Sequence, residues 1–404
     1  MQYRHDGKSN RELSALGFGC MRFPRKGSGI DFSRSSKMLY SAIEKGVNYL
    51  DTAYIYGGSE AFLGQALTPE WREKVSIATK LPLFMVKSGA DFDKYFNRSL
   101  ERLKTDHVEY YLAHMLTSLD LWEKLCSWGI EEWIEKQKQS GRIGAIGFSY
   151  HGGRLEFPKI LKAYPWDFCQ IQYNYLDENN QAGRSGLELA ESMGIPVIVM
   201  EPLRGGNLAR NLPKPVVDEF NKAVPGRTPA DWAFKWVWNH PGVTCVLSGM
   251  SGEDEIEENI RLAAESGQNV LTDAEIAVYE NVVKLFGGMV KVPCTACGYC
   301  LPCPKGVDIP TSFSSYNTAF SLGKSKAHRE YMQNIDALHT DEHYASKCVN
   351  CGKCESHCPQ NIQIRKELSN AAKLLEPWWF GAGMKMARTV LGFGKKNVKN
   401  KSRL

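Results

Sequence analysis

Two short runs near the C-terminal end hold eight of the twelve cysteines and constrain the fold of this chain more than any other feature. The first run, CTACGYCLPCP, contains Cys294, Cys297, Cys300 and Cys303. The second, CVNCGKCESHCP, contains Cys348, Cys351, Cys354 and Cys358. Cysteines two residues apart, ending in a cysteine followed by proline, are typical of paired 4Fe–4S clusters, in which the last cysteine of each run binds the other cluster. The spacing therefore predicts one cluster on Cys294, Cys297, Cys300 and Cys358. It predicts another on Cys348, Cys351, Cys354 and Cys303.

Disulfides and zinc sites are the alternative uses of these cysteines. A disulfide framework requires an oxidising compartment, and the opening MQYRHDGKSNREL lacks the apolar run of an export signal. Zinc sites usually combine two Cys-x2-Cys pairs that lie far apart in sequence, whereas these cysteines follow in strict succession. The first run has one residue fewer than the iron–sulfur pattern before Cys303. Clusters explain the spacing best, and they predict a reducing, cytoplasmic location.

The charge is divided unevenly along the 404 residues. From Gly287 onward there are 17 Lys+Arg and 8 Asp+Glu, whereas the preceding residues carry 33 and 37. Two interpretations stay open: the basic residues offset the negative charge of the clusters, or they form a docking face for an acidic electron carrier such as ferredoxin or flavodoxin. The longest apolar stretch, Ile195–Met200, is too short to span a bilayer. Neither a transmembrane segment nor a nucleic-acid partner is expected.

Short apolar runs alternate with amphipathic segments from Leu16 to about Ala264. The predicted strands are Leu16–Met21, Val47–Asp51, Val75–Thr79, Val108–His114, Ala145–Ser149, Phe168–Tyr173, Val197–Met200 and Thr244–Leu247. The predicted helices are Ser33–Lys45, Glu60–Leu67, Phe92–Leu103, Leu119–Ser140, Leu155–Ala163, Gly186–Met193, Pro229–Asn239 and Asp254–Ala264. Eight strand–helix units predict an α/β fold, a (β/α)8 TIM barrel, with the opening residues Gln2–Ser14 as a plug of its floor. A doubly wound sheet is the alternative, but GFGCMR lacks the G-x-G-x-x-G pattern.

Side chains suited to proton transfer follow three consecutive predicted strands. Asp51 ends strand 2 and Tyr56 lies in the loop after it, Lys80 follows strand 3, and His114 ends strand 4. A single lysine there is usually solvated, and a single histidine is usually a hydrogen-bonded core residue. Because the C-terminal ends of barrel strands form one rim, four such groups together predict a catalytic site.

Carbonyl reduction fits these four groups. We expect Asp51 to hold Lys80, and the Lys80 ammonium to lower the pKa of Tyr56 from its usual value of about 10. Tyr56 would then donate a proton to the carbonyl oxygen as hydride reaches the carbon. A neutral His114 would orient the carbonyl through one hydrogen bond.

These motifs resemble the aldo-keto reductase family. DTAYIYGGSE, IATKLP and YYLAHML match the regions of its Asp-Tyr-Lys-His tetrad, the opening MQYRHDGKSNRELSALGFGCMR resembles its usual start, and the resemblance covers roughly residues 1–285. With its cysteine runs, the chain resembles the subgroup that carries a C-terminal 4Fe–4S ferredoxin-type domain. The resemblance implies an NAD(P)-dependent oxidoreductase that acts on a small carbonyl substrate.

The resemblance also implies where NAD or NADP binds. Ser149 and Gln170 would hold the carboxamide, although Tyr150 replaces the usual Asn, and Met200 replaces the usual stacking aromatic. The remaining implied contacts are Met21, Arg22, Asp51, Glu201, Pro202, Leu203, Glu258 and Asn259. Glu255 occupies the position of the Arg that usually grips a 2′-phosphate, so either NADH is accepted, Arg261 or another residue compensates, or binding is weak. A bound flavin is a further alternative, although no motif in the sequence supports it.

Three segments are therefore predicted: a barrel over residues 1–286, a small, mainly helical two-cluster domain over 287–376, and a basic tail over 377–404. The tail is either a basic end that folds back on the body or a helix that docks on a membrane surface or a partner. The clusters are expected to serve electron transfer, docking or regulation. The non-enzymatic alternative is a redox-sensing or interaction protein on a reductase scaffold.

Overall fold

The chain forms two compact units, Met1–Leu285 and Phe286–Leu404. The computed structural model describes residues 1–210, 212–294, 296, 298, 300–335, 343–358 and 360–390, and leaves out the side chains of 388–390. Within these ranges, no helix is both long and apolar enough to cross a membrane. Each unit is described separately below.

The first unit is a closed barrel of eight parallel strands, as the sequence predicts. The strands are β1 (Leu16–Gly19), β2 (Tyr49–Asp51), β3 (Ser76–Pro82), β4 (Val108–His114), β5 (Ile143–Tyr150), β6 (Phe168–Gln172), β7 (Val197–Met200) and β8 (Val243–Ser248). They follow one another around the barrel in chain order, and β8 pairs with β1 to close it. Since parallel barrel strands are covered on both faces, β3 and β4 are buried at every position.

The helices around the barrel also follow the predicted pattern. They are α1 (Phe32–Glu44), α2 (Ser59–Ala66), α3 (Pro69–Arg72), α4 (Ala90–Leu103), α5 (Leu119–Cys126), α6 (Ile130–Gln139), α7 (Phe157–Ala163), α8 (Gly183–Ser192), α9 (Asn207–Arg210), α10 (Lys214–Ala223), α11 (Pro229–Trp238), α12 (Glu253–Ala264) and α13 (Asp273–Gly288). The prediction of one helix over Leu119–Ser140 is wrong. Gly129 adopts a left-handed φ of 83° and divides that segment into α5 and α6.

An N-terminal hairpin closes the floor of the barrel, as predicted. Its strands Tyr3–Asp6 and Arg11–Ser14 pair antiparallel, and Leu13 belongs to the apolar cluster inside the barrel. Tyr110 on β4 donates a 2.8 Å hydrogen bond to the buried carboxylate of Asp6. The hairpin therefore covers the end of the barrel at which the strands begin.

The second unit is mainly helical. It contains α14 (Ile309–Ser321), α15 (Lys324–Asn334), α16 (Ile364–Leu375) and α17 (Phe380–Val390), with single 3₁₀ turns at Ala345–Lys347 and Glu355–His357. Helix α15 ends at Asn334, and residues 336–342 lie outside the described residues. Phe313, Tyr331, Leu368 and Phe380 belong to its apolar core, so the chain beyond Pro377 contributes to that core.

Candidate active site and cysteine runs

The four tetrad residues lie at the C-terminal end of the barrel strands. Asp51 is the last residue of β2 and His114 the last of β4, while β3 continues past Lys80 to Pro82. Tyr56 lies in the turn before α2, where Gly58 adopts a left-handed φ of 84° that favours glycine. The barrel therefore brings together the four residues that the sequence singled out.

Asp51 and Lys80 form a buried ion pair. The Lys80 ammonium donates to Asp51 Oδ2 at 2.5 Å and to the backbone oxygen of Thr52 at 2.7 Å. Burial raises the pKa of Asp51 and lowers the pKa of Lys80, and each charge opposes the shift of the other. The pair fixes the lysine side chain beneath the loop that carries Tyr56.

The aromatic ring of Tyr56 lies between Lys80 and His114. Lys80 Nζ is 5.1 Å from its centroid, and the His114 ring centre is 6.1 Å away in an edge-on arrangement. The expectation that Lys80 lowers the pKa of Tyr56 is wrong for this structure, since burial, followed by the negative charge of Asp51, raises that pKa well above 10. Because Asp51 pairs with the Lys80 ammonium, its negative charge offsets the effect of the lysine charge on the Tyr56 phenol. Tyr56 is therefore a protonated donor.

His114 is a neutral imidazole. Burial lowers its pKa well below 6.5, and the positive charge of Lys80 adds to the effect. Its Nδ1 atom is buried without a hydrogen-bond partner among the residues that the structure describes. A buried imidazole with an unused nitrogen is suited to hydrogen bonding with a polar ligand group.

Sequence reasoning missed one residue of this rim, His151, and named Glu201 only as a cofactor contact without considering its charge. His151 follows the end of β5, and its buried Nδ1 also has no hydrogen-bond partner within the described ranges. Burial lowers the pKa of His151, whereas the Glu201 carboxylate opposes that shift. Glu201 adopts a left-handed φ of 52°, a strained value for a residue with a side chain. The motif SYHGG placed a histidine at a strand end, and this was the available signal.

The positions implied for a carboxamide lie side by side on β5 and β6. Ser149 pairs in register with Gln170, and both are almost completely buried. The Gln170 amide nitrogen donates weakly to the Met200 sulfur at 3.5 Å, and its Oε1 has no partner in the part of the chain described. An unused buried amide oxygen beside a serine fits a carboxamide that donates N–H bonds. Tyr150 is also buried, and its hydroxyl donates to Gly153, so it does not replace the missing Asn.

The loops after β1 and β7 lie next to one another at this rim. Arg22 donates a 2.9 Å hydrogen bond to the backbone oxygen of Gly205, while Met21 is exposed. Glu201 and Arg204 and the two glycines after them all have positive φ, so the backbone after β7 turns sharply. Pro202 is buried and Leu203 is partly buried within this turn. This places the implied pyrophosphate path next to Arg22.

The implied adenine contacts lie on α12. Asn259 is buried and donates to Ser248 at 3.0 Å, whereas Glu258 accepts from Thr228 at 2.6 Å. Glu255 pairs with Arg210 and accepts a 2.7 Å hydrogen bond from the backbone of Ser251. A fixed carboxylate with a paired arginine is therefore found at the position that the resemblance assigns to the cation for a 2′-phosphate.

The last cysteine of the second run joins the first run. Cys294, Cys300 and Cys358 line one small pocket, with Phe313 and Ile364 among its apolar walls. Cys297 lies outside the described residues. This grouping fits the predicted exchange of ligands, because neighbouring cysteines in sequence would not by themselves bring Cys358 here.

A second group contains Cys303, Cys348 and Cys354. Burial raises the pKa of the Cys354 thiol, and the nearby Cys348 and Cys303 sulfurs add to that rise. Cys351 is exposed at the same loop. Among the described residues, no group of three His, Cys, Asp or Glu side chains could hold a metal ion. The sequence spacing of these cysteines is the one typical of four-iron clusters.

A profile of the Aldo/keto reductase family matches residues 15–283, which is more than half of the chain. The chain belongs to this family. A profile of the 4Fe-4S dicluster domain matches residues 293–363, which include all eight cysteines of the two runs. The chain therefore carries a 4Fe-4S dicluster domain after its barrel.

Several similar proteins are named as oxidoreductases, and others as probable voltage-gated potassium channel beta subunits. An uncharacterized oxidoreductase of Bacillus subtilis is 25% identical over 65% of this chain and 90% of its own length. The NADH-specific methylglyoxal reductase of Escherichia coli is 23% identical over 63% of this chain and 91% of its own length. The holo structure of an aldo-keto reductase from Bacillus halodurans has a TM-score of 0.59 and 27% identity, covering 70% of this chain and 96% of that one.

Proposed function

We propose that this protein reduces an aldehyde or ketone with a nicotinamide cofactor, or oxidises the corresponding alcohol. The convergence of Asp51, Tyr56, Lys80 and His114 at one end of the barrel carries the proposal. The cofactor, when bound, supplies or accepts the hydride. Tyr56 donates the proton that the carbonyl oxygen needs, and His114 donates a hydrogen bond that orients that oxygen.

Lys80 and Asp51 assist the proton transfer from Tyr56. As the carbonyl oxygen takes the Tyr56 proton, the phenolate that forms lies near the Lys80 ammonium, and the ammonium stabilises it. In the resting site the phenol keeps its proton because its pKa is raised. The lysine charge therefore acts mainly in the transition state, where negative charge develops on the phenol oxygen.

For the cofactor we propose NADH in preference to NADPH. Ser149, Gln170 and Met200 would contact the nicotinamide, and Met21, Arg22, Glu201, Pro202 and Leu203 the pyrophosphate, with Glu258 and Asn259 near the adenine. Glu255 supports the choice, since its carboxylate would repel a 2′-phosphate. The NADH-specific relative is consistent with it.

For the second unit we propose two 4Fe–4S clusters. A nicotinamide passes two electrons together, whereas each cluster takes one, so exchange between them requires an intermediary such as a bound flavin. Two roles follow: electron transfer with an acidic carrier such as ferredoxin or flavodoxin, or docking and regulation without turnover of the clusters. The location that we propose is the cytoplasm, where free thiols and clusters persist.

Replacement of Tyr56 by phenylalanine tests the proposal. In anaerobic, cluster-replete protein, Y56F should lower carbonyl turnover with NADH by at least about a hundredfold, because it removes the proton donor. Y54F is the matched control, since Tyr54 lies in the same loop and packs on Tyr95 and Arg102. Equal turnover by Y56F and wild type would overturn the assignment. Wild-type inactivity over a broad panel of aldehydes, with clusters and cofactor bound, would favour the redox-sensing alternative.

A further inference from the structure

The last described helix and the turn directly before it expose large apolar side chains. Trp378 is 94% exposed and Trp379 50% exposed, and Met386 on α17 is 68% exposed. We call these three residues the Trp–Met face. Most large aromatic side chains in this protein are buried, so two adjacent exposed tryptophans need a physical explanation.

The opposite side of α17 is already packed. Phe380 and Met384 are buried in the core of the second unit, where Phe380 contacts the rings of Tyr331 and Tyr344. Packing of the helix therefore does not cover the Trp–Met face. Packing of this segment on its own unit buries one side of the helix and leaves the Trp–Met face exposed to solvent.

The exposed residues follow helical spacing. Trp379, Gly383 and Met386 lie at positions i, i+4 and i+7, so they share one side of the helix. A β-carbon on Gly383 would lie 3.5 Å from the Trp379 ring, so the ring extends along the helix next to the glycine. The result is an apolar strip about two turns long, with the exposed Trp378 at its N-terminal end.

The sequence around this face is strongly basic. Residues 377–404 contain seven Lys+Arg and no Asp or Glu, a net charge of +7. Since the whole chain carries +5, the first 376 residues carry a net charge of −2. The positive charge of the protein is therefore concentrated on the segment that begins with the two tryptophans.

We propose that the Trp–Met face seats this protein on an anionic membrane surface, to which the net positive charge of the sequence over residues 377–404 attracts it. Tryptophan favours the boundary between lipid head groups and hydrocarbon, and basic side chains are attracted to anionic lipids. Both features occur on one short segment. The occupant is a lipid surface and not a protein, because three exposed side chains are far fewer than the 20–30 residues that each side of a typical stable protein interface contributes, about 800 Å².

Vesicle binding of the full-length, cluster-replete protein tests the proposal. Vesicles of phosphatidylcholine with a third of phosphatidylglycerol are compared with pure phosphatidylcholine by co-sedimentation. We expect binding to the anionic vesicles, at least tenfold weaker binding in W378A/W379A, and weaker binding as salt rises. M386A should weaken binding more than M193A, a control that removes a partly exposed methionine from the barrel unit. Tryptophan fluorescence should shift to the blue in wild type and less in the double variant.

Three outcomes would overturn the proposal. The first is no binding to anionic vesicles, or equal binding by the double variant. The second is binding that begins only after residues 391–404 are deleted, which would mean that the protein's own tail covers the face. The third is a dimer, or a complex with an acidic one-electron carrier, that is lost in W378A/W379A while vesicles are ignored. Circular dichroism and iron content of each variant verify that the second unit is folded.

Discussion

The Lys80 ammonium lies 2.5 Å from the Asp51 carboxylate, and the two side chains are only 1% and 5% exposed. D51N would leave the ammonium buried without a charged partner, so we expect the barrel to lose about 3–5 kcal/mol of stability. The double variant D51N/K80M removes both charges and should recover most of that loss without recovering turnover. Urea unfolding of the barrel, followed by tryptophan fluorescence, measures the difference. Equal stability of the single and double variants would contradict a coupled pair.

The buried His114 makes the free energy of unfolding depend on pH. Its pKa is lowered in the folded protein, so below about pH 6.5 the unfolded chain binds a proton that the folded chain does not. His114 therefore favours folding above that pH, and this contribution is lost as pH falls, with a slope that approaches about 1.4 kcal/mol per pH unit. Urea midpoints of H114Q between pH 7.5 and 5.5 should decline less than those of wild type. An equal decline in H114Q and in wild type would contradict this role of His114.

Glu255 is expected to set the preference for NADH. E255Q removes the carboxylate and releases Arg210 from its ion pair. We expect kcat/KM for NADPH to rise at least about tenfold relative to NADH, since about 1.4 kcal/mol is enough for that change. E257Q is the matched control on the same helix, where Glu257 pairs with Lys45. An unchanged ratio in E255Q would show that Glu255 lies away from the 2′ position.

If the last cysteine of each run binds the cluster of the other run, pairs of cysteine variants from different runs should lose the same cluster. C358S and C300S should disturb the same cluster, because both side chains line one pocket. C303S and C354S should disturb the other cluster. Iron and sulfide analysis measures the loss, and EPR spectra of the reduced variants identify the cluster. If C358S has the spectrum of C354S, each run holds its own cluster.

The sequence predicted the barrel well because its signals are local. Val108–His114 was predicted to the residue, since its apolar run is bounded on both sides and buried throughout. Lys80 was placed just beyond a strand that in fact continues to Pro82, because strand pairing with β4 extends further than the apolar run. The break at Gly129 was missed, as a single glycine within a helical pattern does not fix the backbone.

The properties that depend on tertiary contacts were harder to predict. The predicted direction of the Tyr56 pKa shift was wrong, because the pKa depends on the burial of the phenol and on its distance to Asp51. The unused nitrogen of His151 is visible only when the end of β5 is placed at the rim. The two sides of α17 likewise differ only through what Phe380 and Met384 contact.

The grouping of Cys358 with the first run and of Cys303 with the second also bears on how such a unit would mature and decay. Neither group is complete until both ends of the intervening chain, with α14 and α15 between them, have come together. Loading of iron would then be close to all-or-none, and a proteolytic cut between the runs would release both clusters. A cell short of iron would contain this protein as empty or fully loaded molecules, with few half-loaded ones.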